Sequence, residues 1–359
     1  MRPTERDPHV AILGAGPAGL AAAAALLRRG ISCAVLERGS APADALRRVD
    51  PEMEMLSPTR LSLLRGMDRL PGDPPYLTFR ELVAKLERYV ALRRIPVRTG
   101  YEVTVVRREG GRFRVRWRTP AGEEGETVAT HVVNATGIIT SPWLPESFAP
   151  ERFGSRWMHS LDVRSGDLAG VRRLLVVGGG ASAAEVLERW LELREPDARA
   201  WLALRSRLRA TPHWVLGVDV HYLGWLPERL PAHLLGRRAA RLPEPMLSRE
   251  VPRAIRRGVI EKVPATAGFV DGGVTLEGGR LLEPELVVFA TGYRYDTAHL
   301  GELVARDPDG RPVVHACRST RAPGVWLLGT RFARTFASPY VRGIARDAEY
   351  VARRIAREA

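Results

Sequence analysis

The sequence of 359 residues predicts an α/β fold with two parallel-sheet domains, the second inserted into the first. Two stretches carry this prediction, one near the amino terminus and one near the middle of the chain. Each runs from a short apolar strand through a glycine-rich turn into a helix. The length leaves room for two cores of ordinary size. We expect residues 1–154 and 289–359 to form the first domain and residues 155–288 the second.

The first stretch begins with the apolar run Val10–Leu13, which is typical of a buried parallel strand. Gly14, Gly16 and Gly19 follow in the spacing G-x-G-x-x-G, and an alanine-rich helix comes next. In this spacing the first glycine permits a tight turn, the second lets backbone approach a pyrophosphate, and the third lets the helix pack closely on the strand. The free N–H groups and partial positive charge at the start of the helix favour the binding of a phosphate group. A second strand ends in Glu37, which can hold ribose hydroxyls, so the stretch predicts dinucleotide binding.

The region between the two stretches predicts one helix and several strands. Thr78 is placed as the N-cap of a helix that extends to Leu92. A Glu-Gly-Gly turn indicates a hairpin between strands Glu102–Val106 and Arg112–Arg118. A further strand, Thr127–Val133, runs into the sequence Asn-Ala-Thr-Gly at 134–137.

The second stretch repeats the pattern of the first. Arg173–Val177 predicts a strand, and Gly178–Ala183 has the spacing G-x-G-x-x-A, with alanine as the third small residue. A helix is expected over Ala184–Leu193 and a strand over Ala200–Leu204. The repeat predicts a second dinucleotide site.

The two sites differ in charge at the end of their second strand. Arg205, followed by Arg207, stands where the first stretch has Glu37. A carboxylate repels a ribose 2′-phosphate, whereas guanidinium groups pair with it through charge-assisted hydrogen bonds. The first site therefore suits FAD or NAD, and the second suits NADPH in preference to NADH.

The segment Thr211–Leu247 is interrupted by prolines and carries Trp214, Tyr222 and Trp225. It could line a substrate channel, form a dimer surface, touch a membrane or pack as a helical layer on the nucleotide domain. The sequence leaves these four roles open.

The last part of the chain returns to the first domain. Strands are expected over Val270–Leu276 and Leu281–Phe289, and Ala-Thr-Gly then recurs at 290–292. Val325–Leu328 predicts a short strand before Gly329 and Thr330. A final helix is expected over Pro339–Glu358, with proline in its first turn. The whole pattern is that of two Rossmann-like, three-layer domains.

Composition narrows the class of protein further. The net charge is +14, but the arginines are dispersed and form no basic tail, so we expect no nucleic acid partner. The apolar run that contains the first glycine turn lacks a signal-cleavage pattern, so we expect a cytoplasmic protein without stable membrane insertion. The chain contains no Gln and a single Asn, Asn134, which suggests a thermophile. Cys33 and Cys317 form no C-x-x-C pair, and we find no metal-ligand spacing.

The two turns, the two Ala-Thr-Gly segments and the late glycine before the last helix resemble the flavoproteins with two dinucleotide-binding domains. The resemblance covers essentially the whole chain. It implies FAD in the first domain and NADPH in the second, with Gly329 and the last helix near the flavin. The cofactor-binding residues we expect are Gly14, Gly16, Pro17, Ala18, Gly19, Glu37, Arg38, Val103, Thr136, Gly137, Gly178, Gly180, Ala181, Ser182, Ala183, Arg205, Arg207, Thr291, Gly292, Gly329 and Thr330.

Within these flavoproteins the chain resembles the bacterial flavin-containing-monooxygenase-like branch. Phe153 and His159 match the fingerprint F-x-G-x-x-x-H in spacing, although Ser155 occupies the glycine position and Val163 the aromatic position expected after the histidine. His159 is the one candidate for a catalytic side chain, and its alternative is a hinge residue bonded to backbone. Chemistry is otherwise expected to be centred on the flavin.

The resemblance implies that NADPH reduces FAD and that a C4a-hydroperoxyflavin oxygenates an amine nitrogen or sulfur of a small molecule. An NAD(P)H-dependent reductase of a disulfide, quinone or redox protein is the alternative. Ala18 stands where bacillithiol-disulfide-reductase-like proteins carry a cysteine, which counts against one such reductase. A non-catalytic flavin sensor is a third reading, and a homodimer is possible.

Overall fold

The computed structural model describes residues 7–139, 141–146, 148–149, 153–224, 228, 230–231 and 245–358. Within these ranges the strands, numbered in chain order, are β1 Val10–Leu13, β2 Cys33–Glu37, β3 Val97–Thr99, β4 Glu102–Glu109, β5 Arg112–Arg118, β6 Glu124–Ala129, β7 His131–Asn134, β8 Arg156–His159, β9 Arg173–Val177, β10 Arg199–Ala203, β11 Ala210–Thr211, β12 Trp214–Val215, β13 Val218–Asp219, β14 Met246–Leu247, β15 Ile260–Val263, β16 Thr266–Val270, β17 Gly273–Leu276, β18 Leu281–Leu282, β19 Leu286–Phe289, β20 Val314–His315, β21 Arg318–Ser319 and β22 Val325–Leu327. The α-helices are α1 Pro17–Leu27, α2 Phe79–Arg93, α3 Ser165–Leu168, α4 Ala181–Leu193, α5 Val220–Leu223, α6 Glu250–Arg256 and α7 Val341–Ile355. Short 3₁₀ helices cover Asp44–Arg48, Thr59–Leu61 and Ala298–Leu303.

The chain divides into two compact units. The first comprises the described residues within 1–140, 224–240 and 295–359, and the second those within 141–223 and 241–294. In chain order the second unit interrupts the first, as the sequence predicts. The domain limits expected from the sequence, at 154/155 and 288/289, stay predictions.

The first unit has three layers. Its main sheet has the order β20-β21-β22-β7-β1-β2-β3, and the strands from β22 to β3 are parallel. Side chains alternate along β1: Val10 and Ile12 face a core shared with α1, α2 and α7, whereas Ala11 and Leu13 face a core shared with the antiparallel sheet β4-β5-β6. Both faces of the parallel strands are therefore covered, which explains their continuous apolar sequence.

The second unit repeats this architecture. Its parallel sheet has the order β15-β10-β9-β19-β8. Leu174 and Val176 of β9 pack with α4 and α6, while Leu175 and Val177 face a cluster that contains Phe269 and other residues of the antiparallel sheet β16-β17-β18. The predicted α/β class with two Rossmann-like domains is confirmed.

The predicted helix start at Thr78 is also confirmed. The Thr78 hydroxyl oxygen accepts a hydrogen bond from the backbone N–H of Glu81 at 3.2 Å, and the Glu81 carboxylate accepts one from the Thr78 N–H at 2.8 Å. This reciprocal capping box satisfies two backbone donors that a helix leaves without partners at its start.

Three expected strands and two helix starts are wrong. The helix expected over Ala184–Leu193 begins three residues earlier, at Ala181, because Gly180 is its N-cap. The strand expected over Thr127–Val133 breaks at Thr130, because β6 belongs to the antiparallel sheet and β7 to the parallel one. The strand expected over Leu281–Phe289 divides for the same reason, since β18 lies in the antiparallel sheet and β19 in the parallel one. The strand expected over Val270–Leu276 divides at a hairpin turn between β16 and β17, which pair within one antiparallel sheet. The last helix begins at Val341 after the N-cap Tyr340, because the Tyr340 N–H closes a turn onto the Ala337 carbonyl and keeps Pro339 outside the helix.

No helix among the described residues is both long enough and apolar enough to cross a membrane. Trp225 and most of the rest of 225–244 lie outside the described residues. The four roles considered for 211–247 therefore stay open.

Candidate cofactor-binding and active site

The predicted residues of the first site gather at one edge of the first unit's sheet. Strands β22, β7, β1 and β2 are parallel neighbours, and each ends at this edge. At or within two residues of these strand ends lie Gly329, Thr136, the start of the turn 14–19 and Glu37, with Thr330, Gly137 and Arg38 next in the chain. Ligands of open α/β sheets bind outside the carboxyl ends of the strands. The remaining predicted residue, Val103, lies in β4. It is two residues beyond Tyr101, whose backbone N–H donates to the Glu37 carbonyl at 2.8 Å.

The three glycines of the first turn have different surroundings. A Cβ on Gly14, where φ is +96°, would lie 2.7 Å from the Ala135 carbonyl oxygen. A Cβ on Gly19 would lie 1.9 Å from the Gly14 carbonyl oxygen, so the helix packs too closely on the turn for any side chain. A Cβ on Gly16 would meet nothing within 4 Å. The turn thus leaves open space at the position where a pyrophosphate would approach, and the residues fit the group they are expected to hold.

Glu37 holds the turn together from the next strand. Its carboxylate accepts hydrogen bonds from the Ala15 N–H at 2.6 Å and the Gly39 N–H at 2.8 Å. Each carboxylate oxygen keeps acceptor capacity beyond these bonds, so a ribose hydroxyl can still donate to it. Gly329, at φ +72°, brings the last segment against α1, since a Cβ there would be 3.6 Å from the Ala18 Cβ.

The second turn has the same construction. A Cβ on Gly178, at φ +118°, would lie 2.2 Å from the Ala290 carbonyl oxygen, whereas one on Gly180 would meet nothing within 4 Å. Ala183 replaces the third glycine and is fully buried. Ala181 and Ser182 begin α4 behind Gly180, which is the N-cap. This turn also leaves open space at its middle glycine.

The strand register corrects one detail of the charge comparison. Leu13 pairs with Leu36, and Val177 pairs with Ala203. The residue equivalent to Glu37 is therefore Leu204, and Arg205 lies one position further, because β10 ends a residue earlier than expected. The assignment of Arg205 to the exact position of Glu37 is wrong, whereas its role toward a 2′-phosphate stays a prediction.

Two residues that the sequence did not single out accompany Arg205. Its guanidinium carbon is 5.9 Å from the centroid of the Trp143 ring, and that of Arg294 is 5.2 Å from the same ring. The backbone of Trp143 is hydrogen-bonded to the second Ala-Thr-Gly segment. Its backbone N–H donates to the Gly292 carbonyl at 3.0 Å, and its carbonyl accepts a hydrogen bond from the Thr291 hydroxyl. Arg207 is exposed. The site thus presents guanidinium groups to an anionic ligand, and only the fold brings Trp143 and Arg294 to Arg205.

His159 is buried at the end of β8. Its Nδ1 accepts a hydrogen bond from the Leu161 N–H at 3.1 Å, and its Nε2 lies 3.1 Å from the Gly292 carbonyl oxygen, to which it donates. With both ring nitrogens bonded to backbone, the side chain links β8 to the second Ala-Thr-Gly segment. This geometry favours the positioning role over a chemical one.

The cysteines are buried. Desolvation raises the pKa of the Cys33 thiol to about 12 and that of Cys317 well above its usual value. Neither is therefore a reactive thiolate at neutral pH. Cys33 instead packs as a small apolar residue in the core of the first unit.

One group of possible metal ligands was not expected from the sequence. The structure brings His213, Asp219 and His221 together in the second unit, with their potential metal-ligating atoms within 4.8 Å of one another. In the sequence these residues have the spacing H-x5-D-x-H around Gly217. This spacing indicates a possible metal site only if the residues between His213 and Asp219 form a hairpin that brings the two ends together.

Comparisons with known proteins agree with this geometry. An indole-3-pyruvate monooxygenase of Oryza sativa subsp. japonica, YUCCA1, is 31% identical over 62% of this chain, which spans 55% of that protein's length. A probable indole-3-pyruvate monooxygenase of Arabidopsis thaliana, YUCCA9, is 29% identical over 79% of this chain and 74% of its own. The structure of a flavin-containing monooxygenase from Stenotrophomonas maltophilia superposes with a TM-score of 0.78 at 26% identity, covering 98% of both chains.

The fold and the two turns define a flavoprotein oxidoreductase with two dinucleotide-binding domains. The sequence pattern of the family described as pyridine nucleotide-disulphide oxidoreductase matches residues 11–211, and the chain belongs to that family. The predicted resemblance to flavin-containing monooxygenases is confirmed, as are FAD and NADPH as cofactors. The comparisons support a monooxygenase over a plain reductase. Thermophilic origin, cytoplasmic location and a homodimer stay predictions.

Proposed function

We propose that this protein uses NADPH and FAD to transfer one oxygen atom of O₂ to an amine nitrogen or a sulfur of a small molecule. The observation that carries the proposal is the pair of matching turns. Each is closed to a side chain at its first glycine and open at its middle glycine. One turn is bound by a carboxylate, and the other bonds through the Gly178 N–H to the Ala203 carbonyl, two residues before Arg205. This difference supports FAD at the first turn and NADPH at the second.

The proposed binding residues follow from this assignment. The open backbone at Gly16 and the start of α1 would hold the FAD pyrophosphate, and Glu37 the ribose. The backbone at Gly180 and the start of α4 would hold the NADPH pyrophosphate, and Arg205 the 2′-phosphate. The remaining expected residues keep the assignments made from the sequence.

When bound, FAD supplies hydride acceptance and the activation of O₂, so the protein's own residues need only bind, orient and exclude water. No acid–base pair is required for the reaction in this proposal. His159 would act as a positioning residue, because its two backbone bonds fix the Ala-Thr-Gly segment beside Trp143.

The test is a product assay with ¹⁸O₂ and NADPH. A thioether, a tertiary amine, a disulfide and indole-3-pyruvate, the compound in the names of the two plant relatives, are supplied in turn. We expect one ¹⁸O atom in the product of the thioether or the amine. Reduction of the disulfide without ¹⁸O incorporation would contradict the proposal and support a reductase. Labelled product from indole-3-pyruvate alone would keep the monooxygenase and change the substrate class.

A further inference from the structure

The cluster His213, Asp219 and His221 lies on a small hairpin of the second unit. Trp214 pairs with Asp219 and Val215 with Val218, and the Val220 N–H donates to the His213 carbonyl at 2.9 Å. The hairpin therefore places His213 directly across from Val220, the residue between Asp219 and His221. Three residues that are up to eight positions apart thus meet at the open end of one turn.

The turn of this hairpin is strained. Leu216 and Gly217 both have positive φ, +49° and +77°, as in the type I′ turn that suits two-stranded hairpins. Glycine tolerates this conformation, but a leucine loses about 1 kcal/mol or more in it. Leu216 is also 98% exposed, so it gains nothing from burial. Interactions at the other end of the hairpin must hold this conformation.

The side chains at that end form a compact set of donors. Asp219 is 1% exposed, and its two carboxylate oxygens face the two imidazoles: Oδ1 lies 2.8 Å from His221 Nδ1 and Oδ2 lies 3.2 Å from His213 Nε2. The His221 backbone N–H, at 2.8 Å from Oδ1, fixes the carboxylate. Metal-ligating carboxylates are commonly oriented by such a second bond.

These distances match a metal site. Bonds of about 2.1 Å in tetrahedral geometry put neighbouring donor atoms roughly 3.4 Å apart. The two carboxylate–imidazole separations, 2.8 and 3.2 Å, are somewhat shorter than that value, and all three donors lie within 4.8 Å. Closure would need the imidazoles to move by about an ångström.

We propose that His213, Asp219 and His221 bind a divalent transition metal of the zinc class and that the metal holds the hairpin in its strained conformation. Two histidines and one carboxylate are the ligands that Zn²⁺ takes, with a fourth position left for water or another ligand. His213 reaches the surface, with 25% of its side chain exposed, so the fourth position opens outward. The proposal is independent of the flavin reaction.

The test is Zn²⁺ titration of the tag-free holoenzyme after chelator dialysis, by calorimetry. We expect one Zn²⁺ per chain and an unfolding temperature that rises with zinc. Asp219→Asn keeps the shape of the side chain and should weaken binding at least about 100-fold, as should His221→Ala. His315→Ala, at an exposed strand position, is the matched control and should bind like the native chain.

Two results would overturn the proposal. One is the absence of stoichiometric binding to the native holoenzyme, which would leave the cluster as a hydrogen-bond network. The other is unchanged affinity in Asp219→Asn and His221→Ala while both retain flavin absorbance and native circular dichroism. The second result would place any bound zinc elsewhere.

Discussion

The middle glycine of each turn offers the sharpest test of cofactor assignment. Gly16 has φ −73° and ψ −177°, and Gly180 has φ −93° and ψ −164°, which are ordinary extended conformations for any residue. A Cβ at either position would meet no protein atom within 4 Å. Gly16→Ala and Gly180→Ala should therefore fold, at a helix-capping cost of about 0.5–1 kcal/mol. The added methyl group would occupy only the space kept for a pyrophosphate.

The expected loss can be worked out from the hydrogen bonds involved. A methyl group in the open space would push a pyrophosphate away from the N–H groups at the helix start. Two charge-assisted hydrogen bonds are worth about 3 kcal/mol, which corresponds to roughly a 100-fold loss of affinity. We expect Gly16→Ala to lose this factor for FAD. Gly180→Ala should lose it for NADPH and keep FAD.

The assay is flavin fluorescence on titrating the apoprotein with FAD, followed by titration of the holoprotein with NADP⁺. Circular dichroism checks folding. Gly19→Ala is the contrasting variant, because its Cβ would lie 1.9 Å from a backbone carbonyl oxygen. It should lose stability as well as cofactor. Native FAD affinity in a folded Gly16→Ala protein would refute the assignment of the first turn.

The remaining predictions concern charge and stability. Arg205→Ala should raise the KM for NADPH and leave that for NADH unchanged in steady-state kinetics, and equal effects on both would remove the 2′-phosphate role. Burial, with a smaller contribution from Glu188, raises the pKa of Glu185 to about 7. The folded chain then keeps a proton that the unfolded chain releases near pH 4.5, so stability falls as pH rises between these values. Glu185→Gln should remove that loss. In urea unfolding it should stabilise the protein by roughly 1–3 kcal/mol at pH 8 and by little at pH 4. The control is Glu192→Gln, at an exposed position of the same helix, which should not reproduce this difference between pH 8 and pH 4. If the protein comes from a thermophile, its Tm should exceed the mesophile range of about 45–65 °C, and a lower Tm would end that hypothesis.

Features set by local geometry could be predicted from the sequence. The positive φ of Gly14 and the contact of Gly19 with the Gly14 carbonyl are set within one strand–turn–helix unit. The Thr78 cap depends on residues three positions apart. The structure confirms the turn at Gly14, the close packing at Gly19 and the Thr78 cap, whereas the role of Gly16 toward a pyrophosphate stays a prediction.

Features that depend on distant pairing could not be predicted. The division at Thr130 reflects a change from one sheet to another, which a continuous run of strand-forming residues does not reveal. The equivalence of Leu204 to Glu37 requires the register of two parallel pairs. The meeting of His213 with His221 requires a hairpin whose turn contains Leu216 at positive φ, which sequence preference disfavours.

The most direct measurement of the proposed reaction is stopped-flow absorbance after the NADPH-reduced enzyme is mixed with O₂. We predict a lasting spectrum distinct from both the reduced and the oxidised flavin, and a thioether or an amine should speed its decay. Immediate return to the oxidised spectrum, with hydrogen peroxide as the sole oxygen product whatever substrate is present, would contradict oxygen transfer.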